Sequence, residues 1–132
     1  MPKNPYLQTY KKTAIETLSP GQLILLLFDT AWDNLNKIEK LFSEDFSVQQ
    51  QEKIHNTIMK TYKIFVELQN CLDFKPSQEL ASRLYQLYDY ICRQLIQANA
   101  KKSVQHIQEA RKILEPLRES WREMLLQNPV TS

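Results

Sequence analysis

Glycine is nearly absent from this chain: Gly21 is the only one in 132 residues. Tight hairpin turns draw on glycine at backbone angles that other residues avoid, so a multistranded sheet has almost no turn chemistry to use. A glycine-rich phosphate loop is excluded on the same ground. Cysteine is scarce, with Cys71 and Cys92 alone and no close metal-binding pair. Two such thiols in a chain large enough for its own core read as small buried hydrophobes in a reducing compartment. Long apolar runs are missing as well. The longest strongly apolar stretch, Leu23–Phe28, has six residues, against the roughly 20 needed to span a bilayer. The polar start, Met1-Pro2-Lys3-Asn4-Pro5, is no secretory leader. Excess charge of one sign is missing too: 17 basic against 15 acidic residues give +2, and no block is polybasic. Nucleic-acid binding and membrane-surface binding therefore have little electrostatic support, and the expected location is the cytoplasm.

Helix-forming residues and helical periodicity fill the space that glycine leaves. Leu, Gln, Lys and Glu dominate, and each suits a helix. Residues 1–17 form an N-terminal arm that opens with Pro2 and Pro5 and has only scattered apolar residues, among them Tyr6, Leu7 and Tyr10. They are too few for an independent helix and enough to dock on a surface. The first helix opens at Ser19-Pro20, a serine cap followed by proline at the first helical position. Its stripe Leu23, Leu27, Ala31, Leu35, Ile38, Phe42 steps by three and four. A second stripe, Leu25, Phe28, Trp32, makes its first half apolar on more than one face. The spacing predicts further helices over about 48–72, 78–99 and 103–126. Their seams are Ile54, Ile58, Tyr62, Phe65, Leu68 or Gln69, Leu72; then Leu80, Leu84, Leu87, Ile91, Leu95, Ala98; then Val104 through Trp121 to Leu125. Pro76 breaks the chain before Ser77, the next cap. Pro116 lies inside the last stripe and removes one backbone hydrogen bond, yet the stripe keeps its phase, so one bent helix is expected. Four helices of similar length with short connections pack as an antiparallel bundle. The expected fold is all-α: a single domain over 1–132, with arm 1–17, bundle 18–126 and tail 127–132.

Catalytic constellations are incomplete. A di-iron bundle site needs two Glu-x-x-His pairs plus two further glutamates. Glu52 and His55 supply one pair, and the other histidine, His106, has Ser103 three positions earlier. No metal and no cofactor is expected. Cys71 and Cys92 have no histidine partner fixed by the sequence. Asp29 and Asp33 lie one turn apart on what reads as a solvated face. The tyrosines are more unusual. Tyr85, Tyr88 and Tyr90 cluster on the third helix, and Tyr6 and Tyr10 on the arm; tyrosine is enriched where protein surfaces meet. A non-enzymatic binding module is the first reading. A metal-dependent bundle enzyme using Glu52 and His55, or an adaptor for another partner, are the alternatives.

Three stretches carry a family likeness. Ser19-Pro20-Gly21-Gln22-Leu23-Ile24 running to Leu27-Phe28-Asp29 is similar to one family's opening of its first long helix. Leu84-Tyr85-Gln86-Leu87-Tyr88-Asp89-Tyr90-Ile91, followed by Leu95 and Ala98-Asn99, resembles its Leu-Tyr-Asp-Tyr segment. Trp121 fits its late tryptophan. The family is that of flagellar secretion chaperones of the FliS type, and the resemblance spans about residues 5–125. Lys75-Pro76-Ser77-Gln78 departs from it where members often carry glycine, and His55 and Cys71 match nothing in it. The resemblance implies a helical bundle with a mobile arm that holds the disordered C-terminal segment of flagellin. It implies prevention of premature polymerisation and delivery to the type III export apparatus, with other flagellar regulators and export-gate components as further contacts. The partner-binding residues expected on this basis are Tyr6, Leu7, Tyr10, Ile58, Tyr62, Phe65, Tyr85 and Tyr88. Asp89 and Asn99 are expected to fix helix ends and hydrogen bonds within the bundle.

Overall fold

A computed structural model describes residues 18–127, and within them the chain forms four helices and no strand: α1 (Pro20–Phe42), α2 (Val48–Asn70), α3 (Gln78–Lys101) and α4 (Val104–Gln127). The expected arm, with Tyr6, Leu7 and Tyr10, lies outside the described residues. Each start has a local chemical cause. The Ser19 hydroxyl accepts the Gln22 N–H at 3.1 Å while the Gln22 side chain accepts the Ser19 N–H at 3.0 Å, a complete capping box ahead of Pro20. Ser47 and Ser77 cap α2 and α3 in the simpler way, by accepting from Gln50 and Leu80.

The ends differ slightly from the sequence expectation. α2 stops at Asn70 rather than near Leu72, because the Cys71 N–H bonds the Glu67 and Leu68 carbonyls and tightens the last turn. The Asp73 carboxylate then accepts the Lys75 N–H at 3.0 Å and turns the chain. α3 runs two residues past Asn99. Lys102, left-handed at φ 49°, donates its N–H to the Ala98 carbonyl and ends the helix. The same lysine's Nζ reaches Asn99 Oδ1 at 2.9 Å. α4 continues through Pro116 as one helix to Gln127.

The helices pack around a square, α1 against α2 and α4, and α3 against α2 and α4. With connections this short, neighbours run antiparallel. One pole of the bundle therefore gathers the starts of α1 and α3 and the ends of α2 and α4. The core holds Ala31, Leu35 and Ile38 from α1, Ile54, Ile58 and Phe65 from α2, Ile91, Leu95 and Ala98 from α3, and Ile107, Ala110 and Leu114 from α4. Two threonines share it. Thr57 donates to the Lys53 carbonyl and Thr61 to the Thr57 carbonyl, so neither hydroxyl is buried unsatisfied.

Polar links fix the lateral seams. Arg118 Nε donates to Asp29 at 2.6 Å and stacks its guanidinium over Trp32 at 5.3 Å, which ties α4 to α1. Farther along the same seam Arg111 pairs with Glu39 and donates to Asn36. His55 and Asn99 meet at 2.9 Å and link α2 to α3, so Asn99 does bond within the bundle. Asp89 pairs instead with Arg93 on its own helix. No helix among the described residues is long and apolar enough to cross a membrane.

Phe65 is 0% exposed and meets the Tyr88 ring at 6.2 Å between centroids. Replacing it with alanine removes a whole ring from a packed core. Phe65→Ala should lower unfolding stability by about 3–5 kcal/mol, read as a fall in the urea midpoint with helical circular dichroism retained at zero denaturant.

Candidate functional site

The core does not fill the pole where α1 begins. An apolar bowl of about 440 Å³ opens there, and all four helices wall it. α1 supplies Ile24 and Phe28, and α2 and its turn supply Leu68, Cys71, Leu72 and Asp73. α3 supplies Leu80, Leu84 and Tyr88, and α4 supplies Leu117, Ser120, Trp121 and Met124. Aromatic rings make the floor. Phe28 lies between Tyr88 and Trp121, with both centroid distances 6.3 Å and the tryptophan edge-on at 75°. The Trp121 indole N–H donates to the Gly21 carbonyl at 2.8 Å. That bond pins α4 to the first turn of α1 and satisfies the one polar atom of the ring.

The bowl changes the standing of several residues. Leu80, expected on the inward seam of α3, is 58% exposed because its side of the helix faces the open pole. Cys71, expected to be buried, is an exposed free thiol on the wall. It sits 3.9 Å from Glu67, and its pKa is raised by partial burial and by that carboxylate. Cys92 is buried as expected.

The residues expected to contact a partner are dispersed. Tyr88 alone among the described ones lines the bowl. Ile58 and Phe65 are fully buried behind it, where a ligand on the bundle surface does not reach. Tyr62 is half-buried against the core. Tyr85 is exposed on α3, where it forms a shallower hollow of about 250 Å³ with Phe74, Ser82 and Gln86. Trp121, Ile24, Leu72 and Leu117 were not among the expected contacts. The signal that could have found them was the apolar excess in the first half of the first helix, carried across to the chain ends that antiparallel packing sets beside it.

The lining of the bowl is mainly apolar among the described residues. Asp73 is its only ionisable carboxylate. Glu52 and His55 are exposed on α2, and His55 is engaged by Asn99. No cluster of three or more His, Cys, Asp or Glu able to hold a metal occurs among the described residues.

Comparison with known proteins agrees with this geometry. The family model described as flagellar protein FliS matches residues 2–128. The chain belongs to the FliS family. Relatives named flagellar secretion chaperone FliS include that of Salmonella typhimurium, 32% identical over 119 residues, covering 90% of this chain and 86% of the relative. The Escherichia coli relative of the same name is 30% identical over 122 residues, covering 92% and 87%. The Bacillus subtilis one is 26% identical over 123 residues, covering 93% and 87%. A crystal structure of a bacterial flagellar chaperone shares the fold, with a TM-score of 0.73 at 21% identity over 93% of this chain and 99% of that one. FliS is a family of chaperones of flagellum biogenesis and export, not of enzymes.

Burial in the core has a measurable pH signature. Burial, with the nearby Cys71 thiol adding to it, pushes the Tyr88 hydroxyl up to about 12. Burial, reinforced by Asp89, pushes the Cys92 thiol up to about 11. Both groups ionise at lower pH in the unfolded chain, so the native state holds more protons above pH 9 and stability falls as pH rises. Unfolding free energy should be flat near neutrality and decline from pH 9 towards 11. Cys92→Ala should make that decline shallower, as followed by denaturant titration at each pH.

Proposed function

We propose that this protein is a cytoplasmic export chaperone that binds the disordered C-terminal segment of flagellin, prevents its premature polymerisation and aids its delivery to the flagellar type III export apparatus. The observation that carries this reading is the apolar bowl at the pole of a FliS-family bundle. A segment that polymerises outside the cell through apolar contacts needs those contacts covered inside it, and an open apolar cavity is a place to cover them. Ordering a disordered segment costs several kcal/mol, and burying bulky side chains against Phe28, Tyr88 and Trp121 offsets it. Ile58 and Phe65 then support the wall from inside. Tyr85, with its shallow hollow beside the α2–α3 turn, takes part of the client that extends beyond the bowl, and Tyr62 borders α2 on the half-buried flank. Other flagellar regulators and export-gate components are further partners in this reading, and the whole chain acts as one domain.

The arm has a place in the same scheme. The chain enters α1 at the pole that carries the bowl. Tyr6, Leu7 and Tyr10 compete with the client for it, which lowers the client's apparent affinity.

Cys71 reports on both proposals because its thiol is on the wall while Cys92 is buried. A peptide of the flagellin C-terminal segment should slow modification of Cys71 by a thiol reagent at least tenfold at saturation. Binding without protection of Cys71 would move the site elsewhere, and no binding at all would sink the flagellin reading. Deleting residues 1–15 should tighten that peptide and expose more apolar surface to a fluorescent probe. Unchanged affinity with no new exposure would remove the arm from the mechanism.

A further inference from the structure

α4 is held differently on the two sides of Pro116. Its buried residues, Ile107, Ala110 and Leu114, all precede the proline. From Leu117 to Gln127 no side chain is fully buried, and Leu117 and Trp121 only rest on the flank of the core. α2 and α3 differ, since Leu68 and Ala81 stay buried near the ends that reach the same pole. Ahead of the proline α4 is tied on both sides. Arg111 and Gln108 reach Asn36 and Glu39 on α1, while His106 and Glu109 meet Gln94 and Tyr90 on α3. Beyond it, Arg118, Trp121 and Arg122 all turn to α1. Arg118 at 2.6 Å and Arg122 at 3.4 Å share one oxygen of Asp29, and the Trp121 indole bonds the Gly21 carbonyl at 2.8 Å. The junction itself is weak, because Pro116 has no N–H for the Lys112 carbonyl and its ring crowds that turn. A helix that loses a backbone bond where its burial ends, and is clasped beyond that point by partly exposed polar links, opens locally at less cost than the bundle unfolds.

We propose that residues 117–127 are a hinged wall of the bowl, with Pro116 as the hinge and Asp29 as the clasp, and that this wall swings away from α1 to admit the client's bulky side chains. Leu117, Ser120, Trp121 and Met124 line the bowl from this segment, so its movement widens the cavity while the core around Leu114 stays closed. Asp29 lies outside the lining and is a positioning residue: its single charge holds two arginines of the wall against α1. Only the admission step rests on the bowl being the client-docking site. The hinge is a property of the free chain.

The test is amide hydrogen exchange on the free full chain. Residues 117–127 should exchange as one unit, about tenfold faster than residues 104–115. Simple fraying from Gln127 inward would give a gradient indifferent to Asp29 and Pro116. Pro116→Ala restores the missing backbone bond and should slow that unit about fivefold. Asp29→Asn, or about 1 M salt on the unmodified chain, should speed it about fivefold with residues 104–115 unchanged. Uniform exchange along α4, or a rate over 117–127 that P116A leaves unaltered, overturns the hinge. Indifference of that rate to salt overturns the clasp, even where D29N folds poorly. A flagellin C-terminal peptide should associate about fivefold more slowly with P116A than with the unmodified chain, followed by stopped-flow tryptophan fluorescence. An unchanged association rate overturns admission through this wall. A peptide that does not bind at all overturns the docking reading of the bowl, and the exchange measurement still decides the hinge.

Discussion

The bowl depends on an aromatic floor held short of the bundle's end. Phe28, Tyr88 and Trp121 meet edge and face, Phe65 backs Tyr88 from below, and the Trp121 indole hangs on the Gly21 carbonyl. Below that level the four stripes close on one another and leave fully buried aliphatic residues. Above it they still carry apolar side chains, Ile24, Leu72, Leu80 and Leu84 among them, and these line the bowl. A bundle that stopped at the aromatic layer would be a better-sealed domain. The extra turns wall the bowl, an arrangement expected where a surface is kept for another molecule.

The seam between α1 and α4 carries the polar work that lets this happen. Asp29 receives Arg118 and Arg122, Arg118 covers Trp32, and Arg111 joins Glu39 and Asn36 farther along. These links fix the rotation of α4 about its axis, and the rotation aims Trp121 and Leu117 into the bowl.

Helix existence and the antiparallel bundle were legible because apolar steps of three and four, serine caps and one proline breaker all agreed. Depth was not. Ile58, Tyr62 and Phe65 share one stripe, and periodicity names their face without saying that two of them are sealed in the core. Leu80 continues the stripe of Leu84 yet emerges at the pole. Cys71 is exposed because α2 ends one residue before it, a boundary set by hydrogen bonds to Glu67 and Leu68 carbonyls. Trp121 was readable as a family match, whereas its role in the floor requires Gly21, 100 positions away. The buried Thr57 and Thr61 look polar in sequence and are satisfied only through their own helix.

Amide hydrogen exchange on the full chain, with and without a flagellin C-terminal peptide, tests the role of the bowl most directly. Slowed exchange over residues 20–28, 68–73, 80–88 and 117–124, with residues 41–55 and 96–107 unchanged, is the predicted result. Slowed exchange confined to the opposite pole, with the four bowl segments unaffected in the complex, would contradict it.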